Sequence, residues 1–141
     1  MNGLKSSLLE LSSFLHNHSV RIACLQETKL TASDPDPRIP SYNLLRRDRP
    51  SGGGGGLAIY IHHSVTFSIL DTSFFNDNFT KLLAIRAHIN GSDKDIYNIY
   101  VPLNLPAPSL STPLLTLLPL PNLLFASTFP PCSSTLQAVM P

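Results

Sequence analysis

Charge is scarce in this chain, and it stops early. Only 13% of the 141 residues are Asp, Glu, Lys or Arg, about half the ~25% usual for soluble domains. The formal net charge is +1, so no bulk field recruits nucleic acid or an acidic membrane, which leaves only a locally basic edge for such a role. No charged residue follows Asp95 and no histidine follows His88. Cysteine is rarer still: Cys24 and Cys132 form neither a CxxC pair nor a disulfide framework. A long apolar run is missing too. The best stretch, Leu114 to Phe125, is broken by Pro119 and Pro121, whereas a membrane span needs ~20 consecutive apolar residues. The opening MNGLKSSLLELSSFLHNHS has neither the apolar run nor the cleavage site of a secretory leader. A nuclear or cytoplasmic protein is expected, not a secreted one, with no membrane partner.

What the chain does contain divides in two. Residues 1–102 read as ordinary α/β protein. Leu4, Leu8, Leu11 and Leu15 recur at helical spacing between polar positions, which predicts an amphipathic helix ending near His16–Ser19. Val20 to Leu25 reads as a short buried strand. Three prolines between Asp34 and Pro40 dictate a loop, and Tyr42 to Leu45 a brief strand. Arg46, Arg47 and Arg49 then lead into SGGGGG, residues 51–56, a turn by composition. Leu57–Ile61, Val65–Leu70, Leu82–His88 and Ile96–Val101 read as strands, with Asn90-Gly91 as the hairpin turn between the last two.

Residues 103–141 are of another kind. Eight of the 13 prolines fall there, mixed with Leu, Ser and Thr, and no helical or strand period survives. Natural disordered tails are usually charged and poor in leucine; this one is the reverse. It reads as an irregular low-complexity tail of shifted reading frame or unselected sequence. A proline-rich binding tail is the competing reading, but LPLPNLLFAS lacks the basic residue that orients such ligands.

The stretch IACLQETKL, residues 22–30, places a carboxylate where a core strand reaches its tip. On spacing alone Glu27 reads as a polar strand end that caps a turn. The alternative is a rigidly held ligand at the rim of a sheet, since hard cations such as Mg²⁺ take one or two protein carboxylates and keep several waters.

The segments NGL, LQETKL, GGLAIYI and IYNIYVP, taken in that order, resemble the amino-terminal half of the endonuclease/exonuclease/phosphatase superfamily. More narrowly, they resemble the apurinic-type endonuclease domain of jockey-like non-LTR retrotransposons. The resemblance covers residues 2–102. It implies an α/β fold, part of a four-layer αββα sandwich, and a parent enzyme that nicks target DNA with Mg²⁺ to prime reverse transcription. By that resemblance Glu27 is the Mg²⁺ ligand and Tyr100 the catalytic tyrosine beside the scissile phosphate. Asn2 lies near the metal, and Gln26 and Lys29 support the signature loop. Arg46, Arg47 and Arg49 are candidate contacts to the DNA backbone.

Two elements of that family are missing from the 141 residues. The Gly-Asp-x-Asn element and the Ser-Asp-His element, which position the attacking water and assist proton transfer, have no counterpart after Tyr100. Hydrolysis needs a base within hydrogen-bond reach of the water, so this chain is expected to be an inactive fragment. The histidines offer no rescue: His62 and His63 are neighbours on a strand and point to opposite faces, while His16 and His18 read as surface or capping residues. SGGGGG lacks the Lys-Ser/Thr continuation of a phosphate-binding loop, and Asn90-Gly91-Ser92 is read as a turn, not a glycosylation site. Two other functions stay open on the residues: a phosphoinositide or sphingomyelin phosphodiesterase of the same superfamily, and a small non-enzymatic α/β interaction protein. With roughly one sheet and a helix supplied, the apolar faces of Leu57–Ile61 and Leu82–Ala87 are expected to be exposed, favouring self-association.

Overall fold

The computed structural model describes residues 3–48, 55–73 and 81–100 with their side chains, and the backbone of residues 123–127 and 136–139. Helix α1 (Leu8–Asn17) carries the predicted stripe, with Leu11 and Leu15 buried. Leu4, also buried, lies in the turn before it. The helix ends because Ser19 turns left-handed at φ 50. The Val20 N–H then reaches back to the Leu15 carbonyl at 3.0 Å and the Ser19 N–H to that of His16 at 3.2 Å. These are the paired bonds of a Schellman stop. They point Val20 into the core beside Leu15 and launch the next strand.

That strand, β1 (Ile22–Gln26), is buried along its whole length. It pairs antiparallel with β3 (Leu57–His62), which in turn pairs with β2 (Tyr42–Arg47). A second antiparallel sheet holds β4 (Phe67–Ile69), β5 (Lys81–Ile89) and β6 (Ser92–Tyr100). Asn90-Gly91 makes the two-residue turn that its composition predicts, with both φ angles positive at 51 and 79, as a type I′ loop demands. The backbone of β7 (Leu123–Ser127) runs parallel to β6, and that of β8 (Leu136–Val139) antiparallel to β1. These two strands fall where the sequence has no strand period; the rest of the expected irregular tail lies outside the described residues.

Side chains on β1 and β3 alternate between two environments, as the two-residue period requires. Ala23, Leu25, Ala58 and Tyr60 pack toward α1 and the loops. Ile22, Cys24, Ile59 and Ile61 pack against Ile85, Ala87, Ile89 and Ile96 of the second sheet. The layers are therefore helix, sheet and sheet. This corrects the expectation of a single sheet with open apolar faces. Leu57 to Ile61 are fully buried, and Leu82, Ala84, Ile85 and Ala87 are at most 1% exposed. The reason is that β4–β6 stack on the first sheet and do not extend its edge. Arg46 and Arg47, expected in a loop, belong to β2, and His63 lies in the turn after β3 instead of on the strand. No helix among the described residues is long and apolar enough to cross a membrane.

A candidate site at the rim of the two sheets

Two contacts set the direction of β1 against β6. Just ahead of β1, the Arg21 guanidinium donates from Nη1 to Asn90 Oδ1 at 3.2 Å, in the turn that starts β6. At the far end, Gln26 donates from Nε2 to the Ile99 carbonyl at 2.6 Å. The strands thus run the same way across the interface, and their final residues meet at one rim.

A buried polar link closes that rim. Asn98, fully buried, donates from Nδ2 to the carbonyls of Leu25 (3.0 Å) and Ala58 (3.1 Å), which face each other in the β1–β3 ladder. Its own Oδ1 accepts from Gln26 Nε2 at 3.3 Å. Buried amides are costly unless paired, and here each amide is paired with the opposite sheet. Glu27 follows Gln26 directly, and Tyr100 shares the face of Ile96 and Asn98 by strand alternation. Both are buried at the same rim.

The chain leaves β1 under strain. Glu27 and Lys29 both adopt φ 57, a left-handed conformation that costs an L-residue roughly 1–2 kcal/mol. Neighbouring segments hold it there. Glu27 Oε2 accepts from the Gly55 N–H at 2.8 Å, and the Lys29 N–H donates to the Gly55 carbonyl, also at 2.8 Å. From the other side the Leu4 N–H donates to the Thr28 carbonyl at 3.1 Å. The approach is so close that glycine is required on both flanks. A Cβ on Gly3 would lie 3.0 Å from the Thr28 carbonyl oxygen, and one on Gly56 would lie 2.5 Å from Thr28 Oγ1. The glycines of NGL and GGLAIYI are thus explained by the residues of LQETK that they press against. Gln26 Oε1 and Thr28 Oγ1 are buried beside Glu27 with no hydrogen-bond partner among the described residues.

A hard cation such as Mg²⁺ binds through oxygen donors. Glu27 offers one carboxylate, and one of its oxygens already accepts from Gly55. Among the described residues, no three His, Cys, Asp or Glu side chains come together. A single carboxylate lies within the one or two that Mg²⁺ takes, the remaining positions being filled by waters and substrate phosphates.

Of the other expected site residues, the register Gln26–Leu57–Arg47 brings Arg47 to the same rim. Asn2 and Arg49 lie outside the described residues. Arg46 faces the proline-rich loop, with every nitrogen engaged. Nε and Nη2 donate to Asp48 (3.0 and 2.6 Å to Oδ2), Nη1 to Asp36 Oδ1 and the Asp34 carbonyl (both 3.0 Å), and Nη2 also to the Thr31 carbonyl (2.6 Å). Its fork is committed to contacts within the fold. Arg47 ties the two sheets together through Nη1 and the Leu82 carbonyl at 2.7 Å. His16 sits at the helix end with its ring nitrogens 2.7 Å from the Ser12 carbonyl and 3.1 Å from that of Pro40, a structural tie. Cys24 is buried, which pushes its thiol up to about 12 and makes it a poor nucleophile. Asn98 escaped the sequence reading. Its signal was a lone amide in the apolar run IYNIY. Neither a scan against protein-family models nor a search of curated proteins gives a match for this chain.

Proposed function

We propose that this chain is part of an endonuclease/exonuclease/phosphatase domain, the amino-terminal portion of an αββα sandwich from a jockey-like non-LTR retrotransposon. The parent is a Mg²⁺-dependent nuclease that nicks target DNA to prime reverse transcription, and this chain does not itself cut DNA. One observation carries the reading. Four short motifs scattered between residues 3 and 100 converge on one rim, where Gly3, Gly55 and Gly56 clamp residues 27–29 and Asn98 locks Gln26. Strained backbone and unpaired buried acceptors persist only where the surrounding structure enforces them, and they cluster at functional sites. Among the described residues the rim combines both with a carboxylate and a tyrosine, the pair the resemblance singles out.

The proposed inactivity rests on the sequence that follows this rim. In the parent, Glu27 would hold Mg²⁺ and the Tyr100 hydroxyl would donate to the charge developing on the phosphate, while the base for water comes from other elements. The elements that would supply the base are absent from residues 101–141. DNA is the partner of the parent. Self-association of this chain would use the outer edges of β2 and β4, which end their sheets among the described residues.

Two experiments test the reading. In a plasmid-nicking assay with Mg²⁺, the chain and its Glu27→Ala variant are both expected to leave supercoiled DNA intact; nicking by the unmodified chain would overturn the inactive assignment. The encoding DNA, read past the codon for Pro102 in the other two frames, is expected to contain a Gly-Asp-x-Asn continuation. Its absence from every frame would sink the fragment reading.

A further inference from the structure

The turn at the opposite end of the β1–β6 seam has a chemistry of its own. Asn90 is exposed and stands at φ 51, and its neighbour Gly91 has no side chain. A Cβ built on Gly91 would meet nothing within 4 Å, so no other described segment packs on the loop at that position. The ladder closes at Ile89 and Ser92, leaving the Gly91 N–H outside the strand pairing. Arg21 supplies the second half of the arrangement. Its Nη1 donates to Asn90 Oδ1 at 3.2 Å, the oxygen that gathers negative charge when a nucleophile adds to the side-chain carbonyl carbon. A cationic donor aimed at such an oxygen stabilises the addition.

We propose that Asn90-Gly91 is a self-modification site in which Arg21 assists conversion of the asparagine to an acid. The Gly91 nitrogen adds to Asn90 Cγ and gives its proton to solvent, and the side-chain nitrogen takes a proton from solvent and departs as ammonia, closing a succinimide. One water then adds to either imide carbonyl and opens the ring to aspartate or to isoaspartate. The two products act oppositely on the fold. Aspartate puts a carboxylate against Arg21 and turns a polar contact between the sheets into an ion pair. Isoaspartate inserts a methylene into the main chain of a two-residue loop, which cannot then keep the Ile89–Ser92 register. The seam that ends at the Glu27 rim therefore carries a one-way chemical clock at its other end.

The test incubates the full chain in mildly alkaline buffer, folded and in urea, and follows residues 87–94 by peptide mass and by isoaspartyl methylation. Folded wild type is expected to convert at least as fast as the unfolded chain, with Arg21→Met severalfold slower when folded and unchanged in urea. Equal folded rates for wild type and Arg21→Met would overturn the proposal. Should Arg21→Met fail to fold, wild type alone decides: slower conversion folded than in urea overturns it, because the turn then protects Asn90.

Discussion

Glu27 is where strain and chemistry meet at the scale of a single residue. Its backbone is left-handed, yet glycine, which takes that conformation freely, does not occupy the position. The side chain compensates in part, since its Oε2 accepts the Gly55 N–H. Two substitutions separate the contributions. Glu27→Ala loses the carboxylate and keeps the strain, whereas Glu27→Gly loses the carboxylate and relieves it. Glu27→Gly is therefore expected to be more stable than Glu27→Ala by about 1 kcal/mol, read as a higher urea midpoint. If the two variants melt together, the left-handed φ at this residue carries no cost and the argument from strain fails.

At the scale of elements, the loop between β1 and β2 shows how a proline-rich segment is held without regular structure. Arg46 binds it from β2, and Lys5, in the turn before α1, hydrogen-bonds Asp34 from the other side. Asp34 also accepts from the Thr31 N–H at 2.8 Å. The Lys5 bond, followed by that from Thr31, holds the Asp34 carboxyl down to about 2 against an ordinary 3.8. A carboxyl lowered in the folded state contributes stability above its unfolded value, and loses it as pH falls through the folded one. The contribution is thus complete above 3.8 and fades toward about 2. Lys5→Met is expected to be less stable than wild type near neutrality, with the gap closing as the pH approaches 2. Urea midpoints across that range check it; a gap constant with pH would assign the effect to something other than this carboxyl.

The whole molecule depends on the seam between its two sheets. Apolar contacts from Ile22, Cys24, Ile59 and Ile61 to Ile85 and Ile96 make the stack, but such contacts tolerate sliding. Asn98 does not, because its two donors must find the carbonyls of Leu25 and Ala58. Replacing it as Asn98→Leu leaves the Gln26 amide short of a partner and is expected to cost about 2 kcal/mol. Cys24, buried in the same seam with its thiol held at about 12, reports the loss. Alkylation of Cys24 requires opening of the stack, so a 2 kcal/mol loss should speed it by about 30-fold. An unchanged rate would mean that Cys24 becomes reactive through local motion that leaves the seam closed.

Much of this was readable from residue order alone. The helix followed from Leu8, Leu11 and Leu15, the hairpin from Asn90-Gly91, and the strands from short apolar runs. Each depends on period and on neighbours in the chain, and both are written locally. The position of Glu27 at a strand tip was legible for the same reason. Tertiary structure alone decided the stacking of β4–β6 over β1–β3, which buried faces expected to be bare. It also joined Gln26 to Asn98 across 72 residues, turned Arg46 inward to its loop, and gave Glu27 and Lys29 their left-handed backbone. Periodicity states that a face is buried; it does not state against what. That is settled only when side chains from distant segments compete for the same carbonyls and the same volume.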